Sequence, residues 1–415
     1  MMIYQKTHIS LVLFTALLLI ISGCDTVSQN QPETQEQEPN NIIPGQYIVV
    51  LNSGNTLTKA PKSSNFNNRA SANRGVDREA VIQSVNNMLS DIGVRQDAVQ
   101  NYYSHAISGF AVKMDEEAIE KLENDSRVKF IEPDRRVTLD PYETFDGELP
   151  DGNNKGDNVS APGDFVPYGI SRVGGSVDGT GEFAWVIDTG IDLDHPDLNV
   201  NTRYSETFVS GTSSPNDGNG HGTHVAGTIG AKSNGFGVIG VSPGTTLFAV
   251  RVLGSNGNGT NSGVIAGVDH VTQLAFSGEV ANMSLGGGVS QALDDAIRNC
   301  ANSGVKLSIA AGNSSTDANN SSPARVNHPN VRTVSAIDSN DNFASFSNFG
   351  NPPIDWAAPG VQVWSTWING DYNRISGTSM AAPHVGGLMV TGSITNGGFA
   401  NGDPDGDPDP ISVRN

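Results

Sequence analysis

The period of the apolar positions changes several times along this chain, and each change marks an element. Tyr47 to Leu51 is a strand-like run. Val81, Val85, Met88 and Ile92 fall on one helical face. Phe110 to Met114 alternates as a strand does, Ala118, Ile119 and Leu122 suggest a second helix, and Val128 to Ile131 another strand. The order strand, helix, strand, helix, strand predicts a small α+β domain over 43–138. From Asp164 onward strands and helices alternate. Phe183 to Ile187 is a short apolar strand, and Val264, Ile265, Val268, Val271 and Leu274 make an amphipathic helix. Val280 to Leu285 is a strand, Leu293 to Ala301 a helix and Val305 to Ala311 a strand. This alternation predicts an α/β fold over 164–395, a parallel sheet flanked by helices.

The segments around these two blocks have a different composition. Residues 1–24 read as a targeting segment, with Lys6 before an apolar stretch from Leu11 to Ile21. Ile21-Ser22-Gly23-Cys24 resembles the lipobox of bacterial lipoproteins, which implies acylation of Cys24; the alternative is an ordinary signal peptide. Residues 25–42, rich in Gln, Asn, Glu and Pro, read as a tether. Residues 139–163 read as an exposed linker, easily cut. Residues 396–415 read as an acidic Gly/Asp/Pro tail, solvated from Gly397 to Pro410.

Charge narrows the partners. The formal net charge is -20, with only 24 Lys and Arg among 415 residues. Nucleic acid, which needs basic patches, is excluded as a partner. The balance better suits a soluble extracellular protein. If Cys24 carries a lipid, the remaining cysteine, Cys300, has no intramolecular partner. It follows Leu293 and Ile297 at helical spacing and is expected to be a buried thiol.

Three segments carry candidate chemistry. Val186-Ile187-Asp188-Thr189-Gly190 puts a carboxylate at the end of an apolar strand, where sites form in parallel sheets. His221-Gly222-Thr223-His224 opens a helix behind a Gly-rich loop, and Gly377-Thr378-Ser379-Met380 places a Ser at a helix start. A serine hydroxyl needs a base, and the base needs an orienting anion. Alone, Asp188 reads as a strand-end cap, His221 as a loop residue and Ser379 as an N-cap; together they supply all three roles. His221 and His224, three apart, also allow a zinc reading, although no third ligand with matching spacing is present.

These motifs resemble the subtilisin-like serine proteases, and the proteinase K branch in particular. The likeness covers about residues 164–390 and is carried by Asp217-Gly218-Asn219-Gly220-His221-Gly222-Thr223-His224, Ser365-Thr366-Trp367-Ile368 and Ile375-Ser376-Gly377-Thr378-Ser379-Met380. It implies a serine endopeptidase with Ser379 as nucleophile, His221 as base and Asp188 as its orienting anion, and with no cofactor for the chemistry. Asn313 and the Ser379 N–H would hold the oxyanion, and His224 and His384 would be supports. Gly257-Asn258-Gly259 and Ser284-Leu285-Gly286 resemble the cleft walls. The pocket before the cut bond would lie between Ser284–Gly286 and Ala310-Ala311-Gly312, small and uncharged, so apolar or aromatic residues are expected there. Asn261 stands where the family often carries an aromatic, which implies a more open distal subsite.

The resemblance also implies structural calcium. One set comprises Asp197, Asp164, Asn234 and the carbonyls of Lys232, Phe236 and Val238. A second comprises Asp355 with the carbonyls of Pro329 and Val331. Residues 43–138 resemble the ferredoxin-like inhibitor propeptides of the family, so the chain is expected to be a precursor that its own protease cuts in 139–163. The lipid on Cys24, on the propeptide side of that cut, would be the only link to the membrane, and the catalytic domain would be released. The resemblance implies further helix and strand after Ser379, where 36 residues follow here. Two other classes stay open: a non-enzymatic envelope lipoprotein of the same fold, and a metal-dependent hydrolase using His221 and His224.

Overall fold

A computed structural model of the chain describes residues 41–52, 78–139, 144–145, 149 and 163–415. The proposed signal segment, Cys24 and most of the tether and linker lie outside the described residues.

The N-terminal domain runs β1 (Ile42–Leu51), α1 (Arg78–Asp91), β2 (Val99–Tyr103), β3 (Gly109–Lys113), α2 (Glu116–Glu123) and β4 (Val128–Thr138). Its strands form an antiparallel sheet in the order β2-β3-β1-β4. Val81, Val85, Met88 and Leu89 of α1 and Ile119 and Leu122 of α2 cover Val49, Phe110 and Val112 of the sheet. Asp115 caps α2, its carboxylate accepting from the Ala118 N–H at 2.9 Å. The apolar pattern predicts only three strands. The fourth, β2, is the Val-Gln-Asn-Tyr-Tyr segment at the sheet edge, which has no clean alternation and is held by its pairing with β3.

The larger domain continues with β5 (Thr144–Phe145), α3 (Tyr168–Arg172), β6 (Phe183–Asp188), β7 (Glu206–Thr207), α4 (His221–Gly230), β8 (Thr246–Arg251), β9 (Asn258–Thr260), α5 (Asn261–Leu274), β10 (Val280–Met283), β11 (Gly287–Gly288), α6 (Gln291–Asn302) and β12 (Lys306–Ala310). Then follow β13 (Ser321–Ser322), β14 (Val331–Ile337), β15 (Ile354–Pro359), β16 (Val363–Trp367), β17 (Asp371–Ile375), α7 (Thr378–Thr391), β18 (Ile394–Phe399) and β19 (Pro410–Arg414). Nine strands form one sheet in the order β18-β19-β15-β14-β12-β10-β6-β8-β7. Every neighbouring pair is parallel except β18 with β19.

Side chains alternate across each strand, and this sheet is covered on both faces. Trp185 and Ile187 of β6 pack with α5 and α6, whereas Ala184 and Val186 pack with α4. Trp185 stacks on Phe248 with ring centroids 4.3 Å apart, and both are fully buried. A side chain such as Phe248, wholly removed from water, contributes about 1.5–3 kcal/mol. Cys300 is buried on α6, and burial pushes its thiol up to about 12, so it stays a packing group.

The C-terminal stretch differs from the expected solvated tail. β19 adds to the sheet beside β15, with Ile411 opposite Ala357, and Ile411 and Ser412 are buried. The short apolar pair Ile411 and Val413 was masked by the Asp/Gly/Pro run before it. Arg414 pins the strand: its backbone N–H donates to Val173 O at 2.8 Å, and its guanidinium donates to Thr391 Oγ1 at 2.7 Å and Val241 O at 3.0 Å.

Asp409, 1% exposed, accepts from Ser335 Oγ and from Asn351 Nδ2. Burial pushes its carboxyl from 3.8 up to about 6, with Asp403 and Asp405 adding repulsion. Because the folded value is the higher one, the folded chain holds this proton more tightly. The contribution is complete below pH 3.8 and is lost as pH rises through about 6. Asp409→Asn, neutral at all pH, should therefore stabilise the fold by up to about 3 kcal/mol near pH 8 and far less near pH 4. Thermal unfolding of the two proteins across that range checks it; parallel curves would refute the burial argument.

Candidate active site

Three adjacent strands deliver the central groups. Asp188 ends β6, Ser284 follows β10, and Asn313 comes three residues after β12. Asp188 is fully buried; its Oδ1 accepts from the Thr189 N–H at 2.7 Å and lies 2.8 Å from His221 Nδ1. His221, 1% exposed, is the first residue of α4.

The loop before His221 is shaped by Asp217. Its carboxylate accepts from the N–H groups of Asn219, Gly220 and Thr223 and from Thr223 Oγ1. Gly220 has φ 113°, and a Cβ there would lie 2.3 Å from the Trp367 ring, so only glycine fits. Asp217 thus caps α4 and aims the imidazole, a role the Asp-Gly-Asn-Gly turn could have signalled.

Ser379 is the second residue of α7, which packs along α4 on the same face of the sheet. Its Oγ donates to Ser284 O at 3.2 Å. Pro383, four residues on, has no N–H for the Ser379 carbonyl, and Ser284 Oγ donates to that carbonyl instead at 2.8 Å. The proline therefore ties the Ser379 backbone to the Ser284 segment. Asn313 Oδ1 accepts from the Thr378 N–H and from Thr378 Oγ1, both at 2.8 Å. This pairing orients the Asn313 amide with its oxygen toward Thr378; a Thr beside a Ser carries no signal of its own in the sequence.

His224 and His384 are buried neutral groups. Burial lowers them to about 3 and about 4, and their rings meet the carbonyls of Val363 (Nε2, 2.9 Å) and Met380 (Nδ1, 2.8 Å). His221 and His224 thus face different partners, Asp188 and Val363. Among the described residues no three His, Cys, Asp or Glu side chains converge to hold a metal.

The cleft walls form around β4. Arg136, Val137 and Thr138 pair antiparallel with Thr260, Gly259 and Asn258, and the Leu139 N–H donates to Gly257 O at 3.0 Å. On the other side, a Cβ on Gly287 would stand 3.8 Å from Arg136 O. Ser284 and Leu285 are buried, as are Ala310 and Ala311, with Gly286 and Gly312 half-buried. Asn261 is 2% exposed with β4 paired alongside.

The N-terminal domain docks through acids that the sequence pattern did not single out. Glu132 accepts from Ser290 Oγ and from the Gln291 N–H at 3.0 Å, at the start of α6. Asp134 accepts from Ser262 N–H at 3.1 Å and Oγ at 2.5 Å in the first turn of α5. Helix N-termini favour such anions. Burial at the interface pushes both carboxyls up. In the reverse direction Asp269 of α5 accepts from the consecutive N–H groups of Ser104, His105 and Ala106.

The two calcium sets differ. In the first, Asp164 accepts from the Asn234 and Gly235 N–H groups, and Asp197 from Asn234 Nδ2 and the Val238 N–H. Burial pushes Asp197 up to about 7, with Asp164 nearby. Two acids from separate segments thus meet on the 233–238 loop, and carboxylate oxygens are ligands that suit a hard cation. The second set does not fit. Arg332 Nη1 donates to Val331 O at 2.7 Å and stands 3.9 Å from Asp355 Oδ1, and the Thr333 N–H donates to Asp355 Oδ2 at 3.0 Å. A guanidinium supplies the positive charge at that place.

Residues 179–391 match the model of the Subtilase family, and residues 46–140 match that of Peptidase inhibitor I9. The chain is 39% identical over 364 residues to alkaline serine exoprotease A of Vibrio alginolyticus, covering 86% of this chain and 62% of that protein. It is 38% identical over 384 residues to the extracellular serine proteinase of Thermus sp. (strain Rt41A), covering 90% and 87%. It is 45% identical over 246 residues to proteinase T of Parengyodontium album, covering 55% and 81%.

If Asn313 donates to a developing oxyanion, Asn313→Ala should keep the fold and lower kcat by roughly 10- to 100-fold, the value of one hydrogen bond to a charged group. Steady-state kinetics on a peptide p-nitroanilide checks this; an unchanged kcat would remove Asn313 from the site.

Proposed function

The chain belongs to the subtilase family of serine proteases, and from that premise we propose that it is an exported endopeptidase made as a self-processing precursor. Ser379 Oγ attacks the peptide carbonyl, and His221 takes its proton and returns it to the leaving amine. Asp188 holds the imidazole tautomer through Nδ1. Asn313 Nδ2 and the Ser379 N–H receive the negative charge on the carbonyl oxygen. An acyl-enzyme forms, and water releases it by the same steps in reverse. The observation that carries this reading is the 2.8 Å contact between a fully buried Asp188 and His221.

Substrate binds as an added strand between 257–259 and 284–286. The antiparallel pairing of β4 with Asn258–Thr260 supports this, since it is one extended peptide already seated there. The small, uncharged walls at 284–286 and 310–312 favour an apolar or aromatic side chain before the cut bond. The N-terminal domain, seated on α5, α6 and the cleft, acts as the intramolecular inhibitor until the linker is cut.

One relative is named as extracellular, and we extend that location to this chain. Among the described residues no helix is long and apolar enough to cross a membrane. A lipid on Cys24 would hold the precursor at the envelope, and cleavage would free the catalytic domain as a monomer. Asp164, Asp197 and Asn234 would hold one structural calcium with the carbonyls of Lys232, Phe236 and Val238; calcium takes no part in the chemistry.

A fluorophosphonate probe should label the mature protein at Ser379, and Ser379→Ala should remain unlabelled and accumulate as the uncut, membrane-associated precursor. Absence of labelling would overturn the enzymatic reading, and normal processing of Ser379→Ala would assign the cut to another protease. Excess chelator should lower the melting temperature of the mature domain by several degrees, and Asp197→Asn should abolish that response. A melting temperature indifferent to chelator would end the calcium assignment.

A further inference from the structure

Two pairings give the precursor chain a direction through the site. At the start of the linker, Leu139 continues the pairing of β4 by donating to Gly257 O at 3.0 Å. Further along the linker, Thr144 and Phe145 pair antiparallel with Ile375 and Arg374 of β17. Residues before a cut bond form the acyl half and residues after it the leaving group. With the cut bond placed between Leu139 and Thr144, the edge of β17 lies on the leaving-group side, and Ser376 and Gly377 follow it directly, with Gly377 two residues before Ser379.

Ser376 and Gly377 line a cavity of about 530 Å³ together with Asn313, Phe346, Gln362 and Asp338. None of the acyl-side segments, 257–259, 284–286 or 310–312, contributes to that lining. That volume admits a long side chain with room to spare. Among the described lining residues Asp338 is the single charged one. Its Oδ1 accepts from the Asn340 and Asn342 N–H groups at 2.8 and 2.9 Å, and its Oδ2 accepts from Asn342 Nδ2 at 3.0 Å. The carboxylate is thus fixed in place, with capacity for a further donor. Although burial opposes it, these hydrogen bonds hold the carboxyl below its usual range, so it is charged at neutral pH. The nearby Asp341 is already paired with Arg172 at 2.6 Å.

We propose that this cavity is a leaving-group subsite that selects a lysine or arginine side chain, with Asp338 as its specificity-determining residue, while the substrate main chain continues along the edge of β17. The aliphatic stem of the cation lies against Phe346 and its head reaches Asp338. The inference rests on the endopeptidase reading and adds to it a preference after the cut bond, independent of the apolar preference before it.

The test uses the mature enzyme and peptides with one fixed acyl half, carrying Lys, Arg, Leu or Glu at successive leaving-group positions. A p-nitroanilide of the same acyl half, which has no residue on the leaving-group side, is run in parallel. At one position kcat/KM for Lys and Arg should exceed that for Glu by about fivefold, the range of a partly exposed ion pair, and the ratio should shrink with added salt. Asp338→Asn keeps an acceptor for the Asn340 and Asn342 N–H groups and should bring the ratio close to one. Gln362→Glu adds a second carboxylate to the lining and should raise it. Hydrolysis of the p-nitroanilide with a flat ratio in the unaltered enzyme overturns the subsite and leaves the catalytic reading standing. An unchanged ratio in Asp338→Asn removes Asp338 as its determinant. No hydrolysis of either substrate overturns the catalytic reading and the subsite together.

Discussion

In a parallel sheet all strands end at one edge, and the site of this protein depends on that constraint. Ile187, Met283 and Ile309 stand in register on β6, β10 and β12. The residues just beyond them are therefore neighbours: Asp188, then Ser284 to Gly286, then Ala310 to Asn313. Hydrogen bonding of the backbone alone sets this spacing. The buried carboxylate, the cleft wall and the amide proposed for the oxyanion arrive together because the three strands share one direction. The two helices that carry His221 and Ser379 then lie on one face of the same sheet, with their N-termini toward that edge.

The same economy governs how the N-terminal domain is held. Several of its polar contacts are between a side-chain carboxylate and main-chain N–H groups: Glu132 and Asp134 at two helix starts, Asp269 on three successive amides. Such contacts depend on backbone geometry and on a few acids. The cleft follows the same logic. β4 enters it as a strand and satisfies main-chain groups of 257–260. Recognition by backbone explains how one groove can hold both the chain's own inhibitor and, on our reading, unrelated substrates.

Local chemistry supplies the orientation that the sheet cannot. Asp217 closes the loop that aims His221, and Pro383 leaves the Ser379 carbonyl for Ser284. Thr378 turns the Asn313 amide by occupying its oxygen. Each is a hydrogen bond that fixes one rotamer of a neighbour, and preorganisation of this kind is what separates a set of reactive residue types from a working site.

The fold class, the two domains and the order of Asp188, His221 and Ser379 could be read from the sequence, because apolar period, strand-end position and helix-start residues are local properties. The strand β2 and the buried end of β19 could not, since an edge strand of mixed polarity is held by a partner distant in the chain. The same limit applies to charge. Family resemblance makes Asp355 a cation ligand, yet only folding shows the Arg332 guanidinium beside it. Likewise nothing in the spacing of Asp338, Phe346 and Ser376 predicts a shared cavity. The amino-acid order determined which groups could react; the tertiary structure decided which of them meet, because contact across a parallel sheet depends on register and packing between segments far apart in sequence.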